Sequence, residues 1–193
     1  MLDSKLTSDL FASSDMETIL RSKLLKFRTE AAVDTVIAII KDIGFKNLLK
    51  PAFDLASKSI EHKCVQDADL LDAIGMIGVA RCFSFGGSRN RDLFSVKDLS
   101  RSVSAEEYAA NQGNKGNKGD SGVQHFFDKL VRLRLYMSTT EGRKVSEIRT
   151  NTMLTFLGSL SGELIASGSA DGLLLRDKLA ELSLTSATAE MKA

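Results

Sequence analysis

The residues with the clearest chemical potential are three carboxylates, Asp67, Asp69 and Asp72, which lie within six positions of one another. They stand where a polar stretch gives way to an apolar run that contains several glycines. Carboxylate oxygens are ligands for divalent cations, so the cluster is a candidate for one part of a metal site. The same residues would also suit the start of a helix, or an ion pair inside the protein.

The helix that carries these carboxylates bears on the choice among the three interpretations. The apolar spacing predicts one helix from Gln66 to Phe83, in which Asp69 and Asp72 share a face and Asp67 lies near the start. Because this helix is otherwise apolar all round, Asp69 or Asp72 should face inward. A buried carboxylate is costly unless it is paired or bound to a metal, so a metal site and an internal salt bridge stay open beside helix capping.

The composition of the chain indicates which class of protein carries this cluster. The 193 residues are 43% hydrophobic and 26% charged, which suits one globular domain with a real core. The net charge of +1 gives no reason to expect nucleic-acid or membrane binding. Cys64 and Cys82 make no disulfide framework and no apolar leader precedes them, so we expect reduced thiols and a cytoplasmic protein. A single proline and few alternating runs predict an all-α fold.

The remaining pattern predicts further helices and two irregular regions. A polar segment with a low-complexity core should form a mobile loop at about residues 100–121. Residues 163–193 are small, polar and weakly patterned, and we expect a disordered or weakly helical tail after a helical domain at residues 1–162. The other predicted helices span residues 15–27, 30–43, 123–137 and 140–160, with Thr29 as a cap and Gly44 as a stop.

A long motif around the carboxylates resembles the HD-domain metal-dependent phosphohydrolases, and more narrowly their small stand-alone branch. It runs from Val65 to Arg81 and continues in Phe83-Ser-Phe-Gly-Gly, and the likeness covers roughly residues 2–160. The resemblance implies a partial HD-type helical bundle and a divalent metal (Mn, Mg or Fe) held by a His, a His-Asp pair and a distant Asp. That Asp maps onto Asp69. Such a metal activates water against a phosphate group, so the expected substrate is a nucleotide or another phosphate-containing small molecule.

The resemblance also implies that part of the site precedes Met1. The family's stretch H-D-I-G-D-x-K ends in a D and a K that match Asp3 and Lys5, so we expect an N-terminally truncated chain that lacks three of four metal ligands. Such a chain should be inactive and should not bind its metal tightly. Asp3 would orient or deprotonate the attacking water. Four residues match family positions that could contact the substrate phosphate: Lys5, Arg81, His125 and Lys129. For Arg81 and Lys129, a structural ion pair is the alternative.

Two departures from the family and one rival hypothesis complete these expectations. Leu70 stands where the family has Arg, which removes a cation beside the site. His62, between Glu61 and Lys63, is expected to be a solvated surface residue rather than a replacement ligand. The rival hypothesis is a catalytically dead remnant that serves as a binding or regulatory module. Its exposed core would then be covered by a partner or by self-association.

Overall fold

The computed structural model describes residues 14–99 and 121–190, and within these ranges every regular element is a helix. This confirms the predicted all-α class. No single helix in this part of the chain is long and apolar enough to cross a membrane. Asp3, Lys5 and residues 100–120 of the predicted mobile loop lie outside the described residues. The helices are α1 (Ser14–Leu24), α2 (Glu30–Asp42), α3 (Phe45–Leu48), α4 (Ile60–Asp72), α5 (Gly75–Ser88), α6 (Val96–Leu99), α7 (Gly122–Asp128), α8 (Thr140–Ala166) and α9 (Ala170–Glu190), with a 3-10 helix at Leu130–Tyr136.

The chain divides into two compact units, Met1–Leu70 and Leu71–Ala193. In the first unit α1 packs against α2, and a salt bridge of 2.7 Å joins Glu17 to Lys41. The apolar face of α2 supplies the buried residues Val33 and Ile37. Thr29 precedes α2 with an extended backbone, and Gly44 follows it with a φ of 121°. The predicted start and stop of this helix are therefore confirmed in position, although the Thr29 side chain makes no capping hydrogen bond.

The second unit is organised around the 27-residue helix α8, which contacts α5, α9 and the 3-10 helix. Its core contains an aromatic cluster in which the Phe83 ring lies 5.7 Å from both Phe126 and Phe156. The helix predicted over residues 123–137 is correct only in its first half, because the backbone turns at Lys129 (φ −135°) and continues as the 3-10 helix. Its apolar residues are buried all the same: Phe126, Phe127, Leu130, Leu133 and Met137.

The prediction of one helix from Gln66 to Phe83 is wrong, because the chain breaks between α4 and α5. Gly75 adopts a φ of +78°, which L side chains rarely adopt. A Cβ placed on Gly75 would lie 3.1 Å from the Cγ of Arg149. A Cβ on Gly78 would lie 2.3 Å from the carbonyl oxygen of Ala73, just before the turn. The backbone of the turn therefore passes so close to Gly78 that it leaves no room for a side chain there.

The region expected to be a tail folds into two helices. Helix α8 continues past residue 162 to Ala166, and α9 follows after a short turn and packs against it. Ser161 Oγ donates a hydrogen bond of 2.7 Å to the carbonyl oxygen of Gly172, and Leu175 is fully buried. The small residues that gave this segment its low-complexity composition allow the close contact, since a Cβ on Gly172 would lie 2.7 Å from the Ile165 nitrogen.

Candidate functional site

The carboxylate cluster lies in the last two turns of α4, not at the start of a helix. The C-terminal end of a helix carries partial negative charge, so carboxylates there are disfavoured rather than stabilised by the helix dipole. Asp67 is buried at 3% exposure, whereas Asp69 and Asp72 are half-buried. The interpretation of the cluster as an N-terminal cap is therefore wrong, and its charges need cations nearby.

Arg81 of α5 is the cation that holds Asp72. Its Nη1 atom forms an ion pair with the Asp72 carboxylate and donates a second hydrogen bond, of 3.1 Å, to the Asp72 carbonyl oxygen. One of the three carboxylates, Asp72, is therefore in a salt bridge, although the pair is half-buried rather than internal. Because both side chains are more than a third exposed, at 35% and 38%, the pair contributes no more than about 1 kcal/mol. The substrate contact expected of Arg81 stays a prediction.

Arg149 of α8 supplies a second cation at the same helix end. Its Nη1 donates a hydrogen bond to the carbonyl oxygen of Leu71, one of the last carbonyls of α4, which has no partner within the helix. The stem of its side chain packs against Gly75. Sequence reasoning did not single out Arg149 as a site residue. The only signal was its place at the start of a segment that resembles the family.

Asp69 is the carboxylate to which the resemblance assigns a metal. Its side chain is half-buried, and a catalytic ion needs one coordination position that water or substrate can reach. Across residues 14–99 and 121–190, no group of three or more His, Cys, Asp and Glu side chains is arranged to hold a metal ion. The metal role of Asp69 therefore stays a prediction.

His62 is not the surface residue that its charged neighbours suggested. Helix α4 begins at Ile60, six positions earlier than predicted, and its first turn directs His62 inward to 4% exposure. The imidazole lies 6.1 Å from the Phe53 ring, and burial lowers its pKa below the ordinary value. His62 and Asp69 are seven residues apart on one helix, about 10 Å along its axis, so they cannot share one ion.

His125 and Lys129 lie at the end of α7 beside a buried polar network. Gln124 Nε2 donates a hydrogen bond of 2.6 Å to Asp128 Oδ1. Lys178 of α9 donates one hydrogen bond of 3.2 Å to Gln124 Oε1 and another of 2.6 Å to the carbonyl oxygen of Leu99. This network was missed because Lys178 belongs to the segment expected to be a tail. His125 and Lys129 are both half-buried and both take part in further interactions. Their expected contact with phosphate stays a prediction.

The two thiols differ in exposure, which yields a first prediction. Burial raises the pKa of Cys82 to about 11, and its Sγ lies 3.5 Å from the carbonyl oxygen of Gly122. Cys64 is exposed. Since the thiolate is the reactive form, we expect iodoacetamide at neutral pH to alkylate Cys64 at least about tenfold faster than Cys82. Peptide mass spectrometry over a time course measures both rates in one sample, and equal rates would contradict the buried placement of Cys82.

Comparison with known sequences finds one informative relative. No protein-family model matches the chain. The uncharacterised protein YpgQ of Bacillus subtilis (strain 168) is 36% identical over 131 residues, which are 68% of this chain and 52% of YpgQ. The chain thus spans about half the length of the curated relative that it matches.

Comparison with solved structures extends the likeness to the fold. A protein from Lactobacillus plantarum is 25% identical with a TM-score of 0.63, and the match covers 84% of this chain and 73% of that one. YpgQ in complex with ADP is 28% identical with a TM-score of 0.56, covering 83% and 74%. An HD-superfamily hydrolase from Bacillus thuringiensis is 26% identical with a TM-score of 0.54, covering 78% and 63%. The helices of this chain therefore have the fold of an HD-superfamily hydrolase.

Proposed function

We propose that this chain derives from a metal-dependent phosphohydrolase of the HD type that acts on nucleotides or related phosphates, and that Asp69 is one of its metal ligands. The observation that carries the proposal is the half-buried position of Asp69 near the end of α4, in a chain with the fold of an HD-superfamily hydrolase. The ADP in the YpgQ complex supports a nucleotide as the class of substrate.

The chemistry of this proposal divides between the metal and the chain. A divalent ion (Mn, Mg or Fe), when bound, lowers the pKa of a water molecule and offsets the negative charge of the phosphate. Asp69 would bind it through a carboxylate oxygen. Arg81, His125 and Lys129 would contact the phosphate, with the Arg81 guanidinium oriented by its bonds to Asp72. Lys5 would do the same from the start of the chain, where Asp3 would orient or deprotonate the water.

We further propose that the 193-residue chain by itself neither retains a metal tightly nor turns over substrate. One carboxylate gives a transition metal too few ligands, since such ions take four or more. The nearest histidine in sequence, His62, lies about two helical turns from Asp69, and its buried imidazole faces the Phe53 ring.

The metal content and the activity of the purified chain test this proposed inactivity. Elemental analysis after expression with added manganese should find well below one Mn or Fe per molecule. An assay with nucleoside di- and triphosphates and Mn²⁺ should release no phosphate above the rate without protein. Stoichiometric metal, or turnover that a chelator abolishes, would overturn the proposed inactivity.

The alternative function, a non-catalytic binding or regulatory module, is favoured by exposed apolar side chains in the first unit. Phe27 is 74% exposed and Ile60 is 62% exposed, so both offer apolar surface to a partner. A partner or a second copy of the chain would cover them. The same elemental analysis tests the module, because one tightly bound metal per chain would rule it out.

A further inference from the structure

In the first unit one cation and one anion, both half-buried, act on the buried side chain of His62. The Lys58 ammonium lies 2.6 Å from Asp42 Oδ2 at the end of α2, and 5.0 Å from the centre of the Phe53 ring. Phe53 in turn faces the His62 imidazole at 6.1 Å. Asp42 and Lys58 are the charged groups that act on His62. Since their charges already balance, this group of side chains accommodates a neutral imidazole and would gain a net positive charge if His62 were protonated.

Gln66 lies one helical turn beyond His62 on the same face of α4. It is fully buried, and its Oε1 accepts a hydrogen bond of 3.2 Å from the backbone nitrogen of Gly44, in the turn between α2 and α3. The Nε2 atoms of His62 and Gln66 are both buried without a hydrogen-bond partner within the described ranges. The acceptor atom of the Gln66 side chain therefore points to the Gly44 amide, and it makes no hydrogen bond with His62 Nε2.

We propose that His62 and Gln66 form a pH-sensitive switch that controls the turn at Gly44. With His62 neutral, Gln66 Oε1 stays bonded to the Gly44 amide. A proton taken up from solvent makes His62 Nε2 a charged donor without an acceptor, a costly state in a buried site. The Gln66 amide oxygen is the acceptor one turn away, and rotation of the amide towards His62 lengthens and weakens its 3.2 Å bond to the Gly44 amide.

The direction of the pH effect follows from the position of His62. Burial lowers the pKa of His62 in the folded chain, so the unfolded chain binds this proton more readily. The contribution of neutral His62 to stability is therefore complete above about pH 6.5, the ordinary histidine value, and is lost as the pH falls from there towards the lower folded pKa. The turn at Gly44 should loosen over the same window.

Nuclear magnetic resonance on the full chain tests the switch. We expect the His62 ring signals to titrate below about pH 6.5, and the hydrogen-exchange protection factor of the Gly44 amide to fall by at least about threefold across that titration. The chain has two histidines, so His125→Gln leaves His62 as the single titrating imidazole, and its Gly44 protection factor should fall over the same pH range as in the wild type. In His62→Gln the Gly44 protection factor should no longer depend on pH.

Two results would overturn the switch. One is a His62 titration at or above the ordinary histidine value, and the other is a Gly44 protection factor that stays constant while His62 titrates. Both are read on the wild-type chain, so the test stands even if His62→Gln fails to fold.

Discussion

Gly78→Ala should destabilise the second unit by about 2–4 kcal/mol, the opposite of what this substitution usually does inside a helix. Alanine is normally favoured over glycine there by up to about 1 kcal/mol. At Gly78, however, the new methyl group would lie 2.3 Å from the carbonyl oxygen of Ala73 and 2.8 Å from its carbon. Both atoms belong to the backbone, so relief requires movement of the turn between α4 and α5.

Gly87→Ala is the matched control, because Gly87 lies in the same helix and a Cβ there would meet nothing within 4 Å. It should be neutral or stabilising by up to about 1 kcal/mol. Thermal unfolding followed by circular dichroism compares the two variants. For a chain of this size the loss in Gly78→Ala corresponds to a fall in Tm of roughly 5–15 °C. Equal Tm values for the two variants would show that the turn is not built as described.

This turn also shows where sequence reasoning reaches its limit. Helices α2 and α8 were predicted because their apolar residues recur at helical spacing and recognisable residues flank them. The segment from Gln66 to Phe83 is apolar all round, so a break within it leaves the apolar pattern unchanged. The sequence does not distinguish a glycine at positive φ, such as Gly75, from a glycine within a helix. The two glycines were noted, but only the folded chain shows that one of them ends the continuity of the helix.

The sequence predicted those contacts of the candidate site that join charged side chains close together in the chain. An ion pair was among the alternatives for Asp72, and Arg81 provides it nine residues later. Arg149 was not predictable, because its partner is the backbone carbonyl of Leu71, 78 residues away, which carries no side-chain signal. His62 was misjudged for a related reason. Its charged neighbours Glu61 and Lys63 suggested solvent, whereas the helical turn alone decides which of the three faces inward.

Asp69→Asn should have the largest effect on metal binding and turnover. The effect is expected in a chain that also carries the His and the His-Asp pair implied by the resemblance. The substitution keeps the size of the side chain and removes its negative charge, so it tests binding of a cation with little change in packing. Losing one of four ligands should lower metal occupancy and turnover by at least about 100-fold. Asp177→Asn is the matched control, since Asp177 is an exposed carboxylate whose recorded partner is its neighbour Arg176.

The central claim is that Asp69 is a metal ligand of an HD-type centre, and one measurement tests it most directly. The chain is extended at its amino terminus by a segment that supplies the His and the His-Asp pair implied by the resemblance. Manganese content and phosphate release from nucleotides are then measured for this extended chain and for its Asp69→Asn and Asp177→Asn variants. The account predicts one metal ion and turnover in the extended chain and in Asp177→Asn, and the loss of both in Asp69→Asn. A folded extended chain without metal, or an Asp69→Asn variant that keeps its metal and its activity, would contradict it.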